Sequence, residues 1–386
     1  MGNCNEIDFV KKIQHIKVLH VIRQGLIGGG ESHVLTLVDQ LDKNTTTSFV
    51  LSFTDGPMVD KLKSMGIQVA VIPVKHPLDW RLYVQVRKLI NEWGIQLIHA
   101  HGSRACAFMV LLAVLKRIKM VYTIHGWSFH PDQTFWVKFF RKTWERIITQ
   151  LTSINICVSE SNLATGKSLY AGFKAKVIRY GIDLQRFSSA HEFIDYRKEW
   201  EVPSDAKLIL YAARMTIQKQ PLVALEAFDY AAAQNEHLYM VMAGEGELLK
   251  EVKAKLMTLS CKNRVRLKPF YTDMPGILHA SDLFILPSLW EGLPIALLEA
   301  MAMGKVILAT AVDGTKELIL HRENGVLLNV TERLEKDLGE SIAEVVSDDV
   351  LFNNLSSKAR TTIELTYNSK MMAGYIKDVY QECLNS

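Results

Sequence analysis

Two carboxylates stand close together in Trp290-Glu291-Gly292-Leu293-Pro294-Ile295-Ala296-Leu297-Leu298-Glu299-Ala300. The apolar run at 282–288 feeds a short Glu-Gly-Leu-Pro turn. A helix then begins near Pro294, a residue whose fixed φ suits a first helical turn. A helix start offers N–H groups without partners and the positive end of a dipole, so a diphosphate can sit there. With Glu291 before the helix and Glu299 inside it, the pair can address two parts of one extended ligand. A surface Glu followed by a helical Glu would read the same way, so the neighbouring signals decide.

Two further signals fall where apolar runs end. The run 207–214 closes on Arg214, and Lys219 follows in the next loop. Arginine supplies a planar fork for phosphate oxygens and lysine a compact, mobile charge. Such cations are usually solvated; their place at a strand end is what marks them. Gly28-Gly29-Gly30-Glu31-Ser32 follows the first apolar run and opens a helical pattern. Glycines there let the backbone approach a phosphate closely. The spacing is neither GxGxxG nor a Walker loop, so this signal is weak alone.

The elements that must carry these residues are legible from periodicity. Short apolar runs at 16–22, 47–53, 68–74, 97–101, 119–125 and 154–159 alternate with helical patterns at 31–42, 58–65, 80–93 and 103–117. A polar stretch at 188–206 interrupts the alternation, which restarts with runs at 207–214, 237–245, 263–270, 282–288, 305–310 and 325–329. Continuously apolar strands separated by helices predict parallel sheets covered on both faces. The fold class is therefore α/β, with two doubly wound domains facing across a cleft. The predicted boundaries are 1–187 and 188–355, and 331–386 reads as mostly helical. In such sheets ligands bind beyond the carboxyl ends of the strands, where the marked residues lie.

Composition narrows the functional classes. The 386 residues are 48% hydrophobic and 22% charged, with 45 Lys+Arg against 41 Asp+Glu. A bias of +4 gives no electrostatic case for nucleic acid. Five dispersed cysteines (Cys4, Cys106, Cys157, Cys261, Cys383) form neither a disulfide framework nor a CxxC metal site, and fit a reducing cytosol. The polar N-terminus predicts no secretory signal, and Glu6 argues against myristoylation of Gly2. The longest apolar stretch, 105–115, is shorter than the ~20 residues that span a bilayer.

Taken in order, these motifs resemble the retaining glycosyltransferases of the GT-B fold, family 4, over nearly the whole chain. The most specific element is E-x7-E, Glu291 to Glu299. With it stand GGGES, Thr123-Ile124-His125-Gly126-Trp127, VSES (158–161), GIDLQRF (181–187), Arg214 with Lys219, and AGEGEL (243–248). The resemblance implies that Glu299 holds the donor ribose and Glu291 the transferred sugar. Arg214 and Lys219 would neutralise the diphosphate, aided by backbone N–H groups of Gly29 and of the 293–296 stretch (Leu293, Ile295 and Ala296), with Gly30, Gly292 and Pro294 also at the donor site. His125 would sit over the sugar, Phe270 beside the base, and Gly244 and Glu245 at the sugar end of the donor pocket. It further implies a nucleotide-sugar donor (uridine favoured, guanosine as the other choice) and a saccharide or lipid-linked acceptor. Attack would come on the face the leaving group departs, with the leaving phosphate taking the acceptor proton. No Asp-x-Asp occurs, so no metal or other cofactor is expected. The last helix, within 356–386, would cross back to the first domain. Gln220 and Pro269 stand where Gly is usual and Tyr180 where Asn is common, which bears on pocket detail and donor identity. An inactive sugar-nucleotide-binding partner, or an epimerase of the same fold, is the alternative reading.

Two weaker features carry two readings each. His99 and His101 share a strand face and could ligate a metal, or simply line the cleft. Segment 135–146 mixes aromatics and cations at helical spacing. It could lie on the inner face of an anionic membrane, or pack on the first sheet with a basic solvent face. Packing is the preferred reading, with the protein placed in the cytoplasm.

Overall fold

Runs rich in Val and Ile extend as strands because branched side chains pack well on a pleated surface buried on both sides. The computed structural model describes residues 15–26, 28–74, 80–129 and 133–386. The first domain runs β1 (Ile16–Ile22), α1 (Gly29–Gln40), β2 (Thr46–Ser52), α2 (Pro57–Ser64), β3 (Gln68–Val71), α3 (Trp80–Trp93) and β4 (Leu97–His101). It continues with α4 (Ser103–Lys116), β5 (Lys119–Ile124), α5 (Phe135–Leu151), β6 (Ile154–Cys157), α6 (Glu160–Leu169) and β7 (Lys176–Val177). These strands form one parallel sheet in the order β3-β2-β1-β4-β5-β6-β7.

The second domain opens with α7 (Tyr196–Glu199), β8 (Lys207–Ala212), α8 (Pro221–Ala232), β9 (Leu238–Ala243), α9 (Leu249–Thr258), β10 (Val265–Lys268) and α10 (Met274–Ala280). Then come β11 (Leu283–Leu286), α11 (Ile295–Ala302), β12 (Val306–Thr310), α12 (Thr315–Leu318), β13 (Val326–Leu328), α13 (Leu334–Ser347), α14 (Asp349–Thr366) and α15 (Ser369–Asn385). Its parallel sheet has the order β10-β9-β8-β11-β12-β13. The two doubly wound sheets are the predicted α/β architecture. The four described cysteines are free and buried; Cys4 and the Gly2 terminus lie outside the described residues.

The chain changes domain twice, and the two crossings pair. Ile182 donates its N–H to the Tyr367 carbonyl at 2.7 Å, and Ser369 donates to the Ile182 carbonyl at 3.2 Å. Residues 349–366 form one unbroken helix on the second sheet, so the return starts at 367–369, inside the segment 356–386 set apart by sequence. In α15, Met372, Ala373, Ile376, Val379, Tyr380 and Cys383 recur at helical spacing and pack on Val18, Leu97, Val121 and Ile156 of the first sheet. Each large apolar side chain so buried contributes about 1.5–3 kcal/mol, which anchors the tail.

Helix α5 departs from the preferred reading. Only Glu145, Ile148 and Thr149 are buried along it. Phe135, Trp136, Phe139, Phe140 and Trp144 stand exposed, Phe135 at 72%. The face toward the protein carries Lys138, Arg141, Lys142 and Glu145. Arg141 donates to the Ser128 carbonyl at 2.6 Å, and Lys142 lies over the Phe129 ring. Glu145 fixes this orientation by accepting from Tyr122 Oη at 3.1 Å and Ser128 N at 3.3 Å, and from Ser103 Oγ. The aromatic face therefore points outward, the helix packs through Glu145, Ile148 and Thr149, and the cations line its flank, Lys138 half-buried and Arg141 and Lys142 exposed. Leu111, Val114 and Leu115 of the adjoining α4 are exposed as well.

Candidate active site

In the second sheet the strand order reverses between β8 and β11, so the loops after those strands part there and leave a crevice. Arg214 and Lys219 occupy the first loop, Glu291 and Gly292 the second. Buried Tyr211 donates to the Lys219 carbonyl at 3.2 Å and so fixes the first loop from below. Gln218 ties the loops together: its side chain donates to the Trp290 carbonyl at 2.7 Å, and its own carbonyl accepts from Leu289 N at 2.8 Å. That stitching brings the Lys219 ammonium onto the Glu291 carboxylate as an ion pair. Their side chains are 17% and 8% exposed, so water screens the pair weakly. Arg214 is exposed toward the cleft.

Pro294 caps α11 and its carbonyl accepts from Leu297 N at 3.1 Å, so the N–H groups of Ile295 and Ala296 begin the helix beside the crevice, which Leu293, Pro294, Ile295, Ala296 and Glu299 line. Glu299 is 7% exposed, and burial pushes its carboxyl up to about 7, opposed by Arg186. Gly292 lies against the other domain: a Cβ there would sit 2.3 Å from the His125 carbonyl oxygen. Gly244 has φ 146°, and a Cβ on it would meet the Ala213 carbonyl oxygen at 2.1 Å. Only glycine allows the 244–245 turn to close over the Arg214 loop. Glu245 and half-exposed Phe270 complete that wall.

The first domain faces this crevice with the loop after β1, again at a reversal of strand order. Gly29 and Gly30 bring α1 close, a Cβ on Gly30 lying 3.4 Å from His125 Cδ2 and one on Gly29 4.0 Å from Ile295 Cδ1. His125, just after β5, hydrogen-bonds Tyr180 Oη through Nδ1 at 2.6 Å and faces His101 Nδ1 through Nε2 at 3.3 Å. Burial lowers its pKa to about 3, so the ring is neutral at pH 7. Glu31 is 8% exposed, and burial raises its pKa against the opposing pull of Gln24, Arg214 and Arg23. His99 and His101 do share a strand face, but His99 is engaged by Tyr380 and Thr123.

A second contact locks the domains. Glu317 of α12 accepts from the backbone N–H groups of Glu160 at 2.9 Å and Ser161 at 2.7 Å, at the N-terminus of α6. The VSES sequence thus presents a helix start to a carboxylate of the other domain. The cleft so framed measures about 2190 Å³ and is lined by Arg23, Glu31, Lys138 and Lys142 from one side and the loops above from the other. A typical single-ligand pocket holds roughly 300–1,000 Å³, so this cleft has room for two ligands at once.

Residues 192–362 match the family model "Glycosyl transferases group 1", and residues 27–186 match "Glycosyltransferase Family 4". The chain belongs to these glycosyltransferases. The enzyme is 27% identical over 377 residues to the UDP-Gal:alpha-D-GlcNAc-diphosphoundecaprenol alpha-1,3-galactosyltransferase of Escherichia coli, covering 95% of this chain and 96% of that protein. It is 22% identical over 372 residues to the GDP-mannose:cellobiosyl-diphosphopolyprenol alpha-mannosyltransferase of Xanthomonas campestris, covering 91% and 92%. Anabaena HepE, solved with UDP and glucose, has the same GT-B fold with a TM-score of 0.83 at 21% identity, over 95% of this chain and all of that one.

The structure gathers the sequence-marked glycosyltransferase residues around one cleft, including Gly29, Gly30, His125, Arg214, Lys219, Gly244, Glu245, Phe270, Glu291, Gly292–Ile295 and Glu299. Sequence reasoning missed Gln218, Tyr211 and Glu317. They act through backbone carbonyls and N–H groups, for which no side-chain spacing gives a signal. It also missed His33, which directly follows the marked Gly28–Ser32 motif in α1. No described helix is long and apolar enough to cross a membrane.

Proposed function

We propose that this glycosyltransferase moves a hexose from a uridine diphosphate sugar to a lipid-linked saccharide, retains the anomeric configuration and needs no metal. The Lys219–Glu291 pair beside the α11 N-terminus carries the reading. Breaking the bond from the anomeric carbon to the phosphate oxygen puts negative charge on the diphosphate. Arg214, Lys219 and the helix dipole meet that charge in a preorganised site and stabilise the transition state most. These fixed positive groups do what a divalent ion would otherwise do. Glu299 accepts from the ribose hydroxyls, Glu291 and His125 hold sugar hydroxyls, and Phe270 stacks near the base. The acceptor oxygen bonds to the anomeric carbon on the face the phosphate leaves, and its proton passes to that phosphate. The relatives named for a UDP-sugar and for diphosphate-linked lipids support the donor and acceptor classes.

Helix α5 supports the lipid. Its outward aromatics suit the headgroup region of a bilayer, while Lys138 and Lys142, lining the cleft, suit the acceptor's phosphates. The test incubates the full chain and chelator with UDP-Gal, UDP-Glc or GDP-Man and a polyprenyl-diphosphate sugar, then reads the product anomer by NMR. Retained configuration with a UDP-sugar is expected. Inversion, or an absolute requirement for added divalent ion, defeats the reading.

A further inference from the structure

Five histidines stack into one group behind the cleft wall: His20, His33, His99, His101 and His125. Most ring nitrogens have partners. His125 Nδ1 meets Tyr180 Oη at 2.6 Å, His101 Nε2 meets His20 Nδ1 at 3.2 Å, and His20 Nε2 meets Ser48 Oγ at 3.2 Å. When those outer nitrogens of His125 and His101 carry the protons, the inner ones present lone pairs to each other across 3.3 Å. His33 stands beside them, its ring 5.1 Å from that of His125 and 5.6 Å from that of His101. It is 3% exposed, and neither of its nitrogens has a hydrogen-bond partner among the described residues. A buried polar atom without a partner costs about 1–3 kcal/mol, and the opposed lone pairs add repulsion. One cation accepting three lone pairs relieves both.

We propose that His33, His101 and His125 bind a zinc-type divalent ion at the cleft wall, and that this ion inhibits transfer by withdrawing His125 from the sugar. One nitrogen of each of the three lies within 4.8 Å of the others. Tetrahedral zinc with bonds of about 2.0–2.1 Å to nitrogen places ligand nitrogens about 3.4 Å apart. The 3.3 Å between His125 and His101 already meets that spacing. The supporting shell is in place too, because Tyr180 and His20 hold the outer nitrogens of two ligands, as zinc-bound histidines require. His33 and His125 line the cleft, so an ion can reach the trio from it. The other close trio, His20, His99 and His101, is sealed. Both nitrogens of His99 are committed, to Tyr380 at 2.6 Å and Thr123 at 2.7 Å.

Inhibition rests on the part assigned to His125 in transfer; binding does not, so the two fail separately. The full chain is stripped with chelator, dialysed, and titrated with Zn²⁺ by calorimetry and with Co²⁺ by visible absorption, without donor or acceptor. One ion per chain is expected, with tetrahedral Co²⁺ bands and no thiolate charge-transfer band. Tyr180→Phe should weaken the site by roughly 10–100-fold, as loss of a supporting partner does. His33→Gln and His33→Phe, each checked for a wild-type circular dichroism spectrum, should weaken it further. Zn²⁺ should also stop transfer in the wild type, reversibly with chelator. No uptake by the stripped wild type overturns the proposal. So does a thiolate band, or undiminished uptake by a folded His33 variant.

Discussion

Replacing Lys219 by alanine separates two consequences that the geometry joins. In the folded protein the Lys219 ammonium neutralises Glu291, whose side chain is 8% exposed. Removing one partner of a buried ion pair costs about 3–5 kcal/mol. The cleft admits water and Lys219 is 17% exposed, so the lower end, about 3 kcal/mol, applies. Lys219→Ala/Glu291→Gln leaves no buried charge stranded and should recover most of that loss. Turnover behaves differently. A fixed positive group aimed at developing charge is worth about 100–1,000-fold in rate, roughly 2.7–4 kcal/mol. The double variant lacks that group and should stay as slow as Lys219→Ala. Denaturant unfolding gives the stabilities, and steady-state kinetics at saturating donor gives the rates. Wild-type turnover in a folded Lys219→Ala enzyme would refute the diphosphate role. Recovery of turnover in the double variant would show that Lys219 serves only to neutralise Glu291.

Other consequences are equally specific. Gly292→Ala places a methyl 2.3 Å from the His125 carbonyl, so the turn must shift, and transfer should fall on the order of 100-fold while the melting temperature holds. Normal transfer by that variant would show that the two domains do not meet there during turnover. Glu317→Ala removes two charge-assisted hydrogen bonds between domains, about 1.5–3 kcal/mol each, and small-angle scattering should show a larger radius of gyration. An unchanged radius would deny the lock. Glu299 has its pKa raised from 4.5 to about 7 by burial, so the folded state holds this proton more tightly than the unfolded chain. Stability from this group is therefore present below pH 4.5 and lost as pH rises toward 7, by about 3 kcal/mol in all. Glu299→Gln, which mimics the protonated form, should gain on wild type between pH 5 and pH 8 in urea unfolding; a constant difference would remove the burial argument.

The strands and their alternation were legible because near-continuous apolar runs between helical patterns admit few arrangements other than covered parallel sheets. The charged residues of the cleft were legible for a related reason: cations and carboxylates at strand ends have few structural reasons to be there. Three things were hidden. The side of α5 that faces the protein is chosen by Glu145, whose three partners come from residues 103, 122 and 128. A periodicity reading sees only that the helix is amphipathic, not which face finds hydrogen bonds. The stitching by Gln218 and the lock at Glu317 run through backbone groups. The departures from the family pattern acquire meaning only in three dimensions. Tyr180 holds His125 Nδ1, and Gln220 adopts a left-handed conformation at φ 46°, where glycine would sit without strain.

The account stands most directly on donor binding at the second domain. Calorimetric titration of the chelator-treated enzyme with UDP, a UDP-sugar and GDP measures it without acceptor or turnover. The prediction, at pH 8 where Glu299 is mostly ionised, is one uridine diphosphate ligand per chain bound without metal, with affinity reduced in Glu299→Ala by the roughly 1.5–3 kcal/mol that a hydrogen bond to a charged acceptor is worth. Binding by Glu299→Ala equal to wild type, or no binding of any nucleotide diphosphate by the folded wild type, would contradict it.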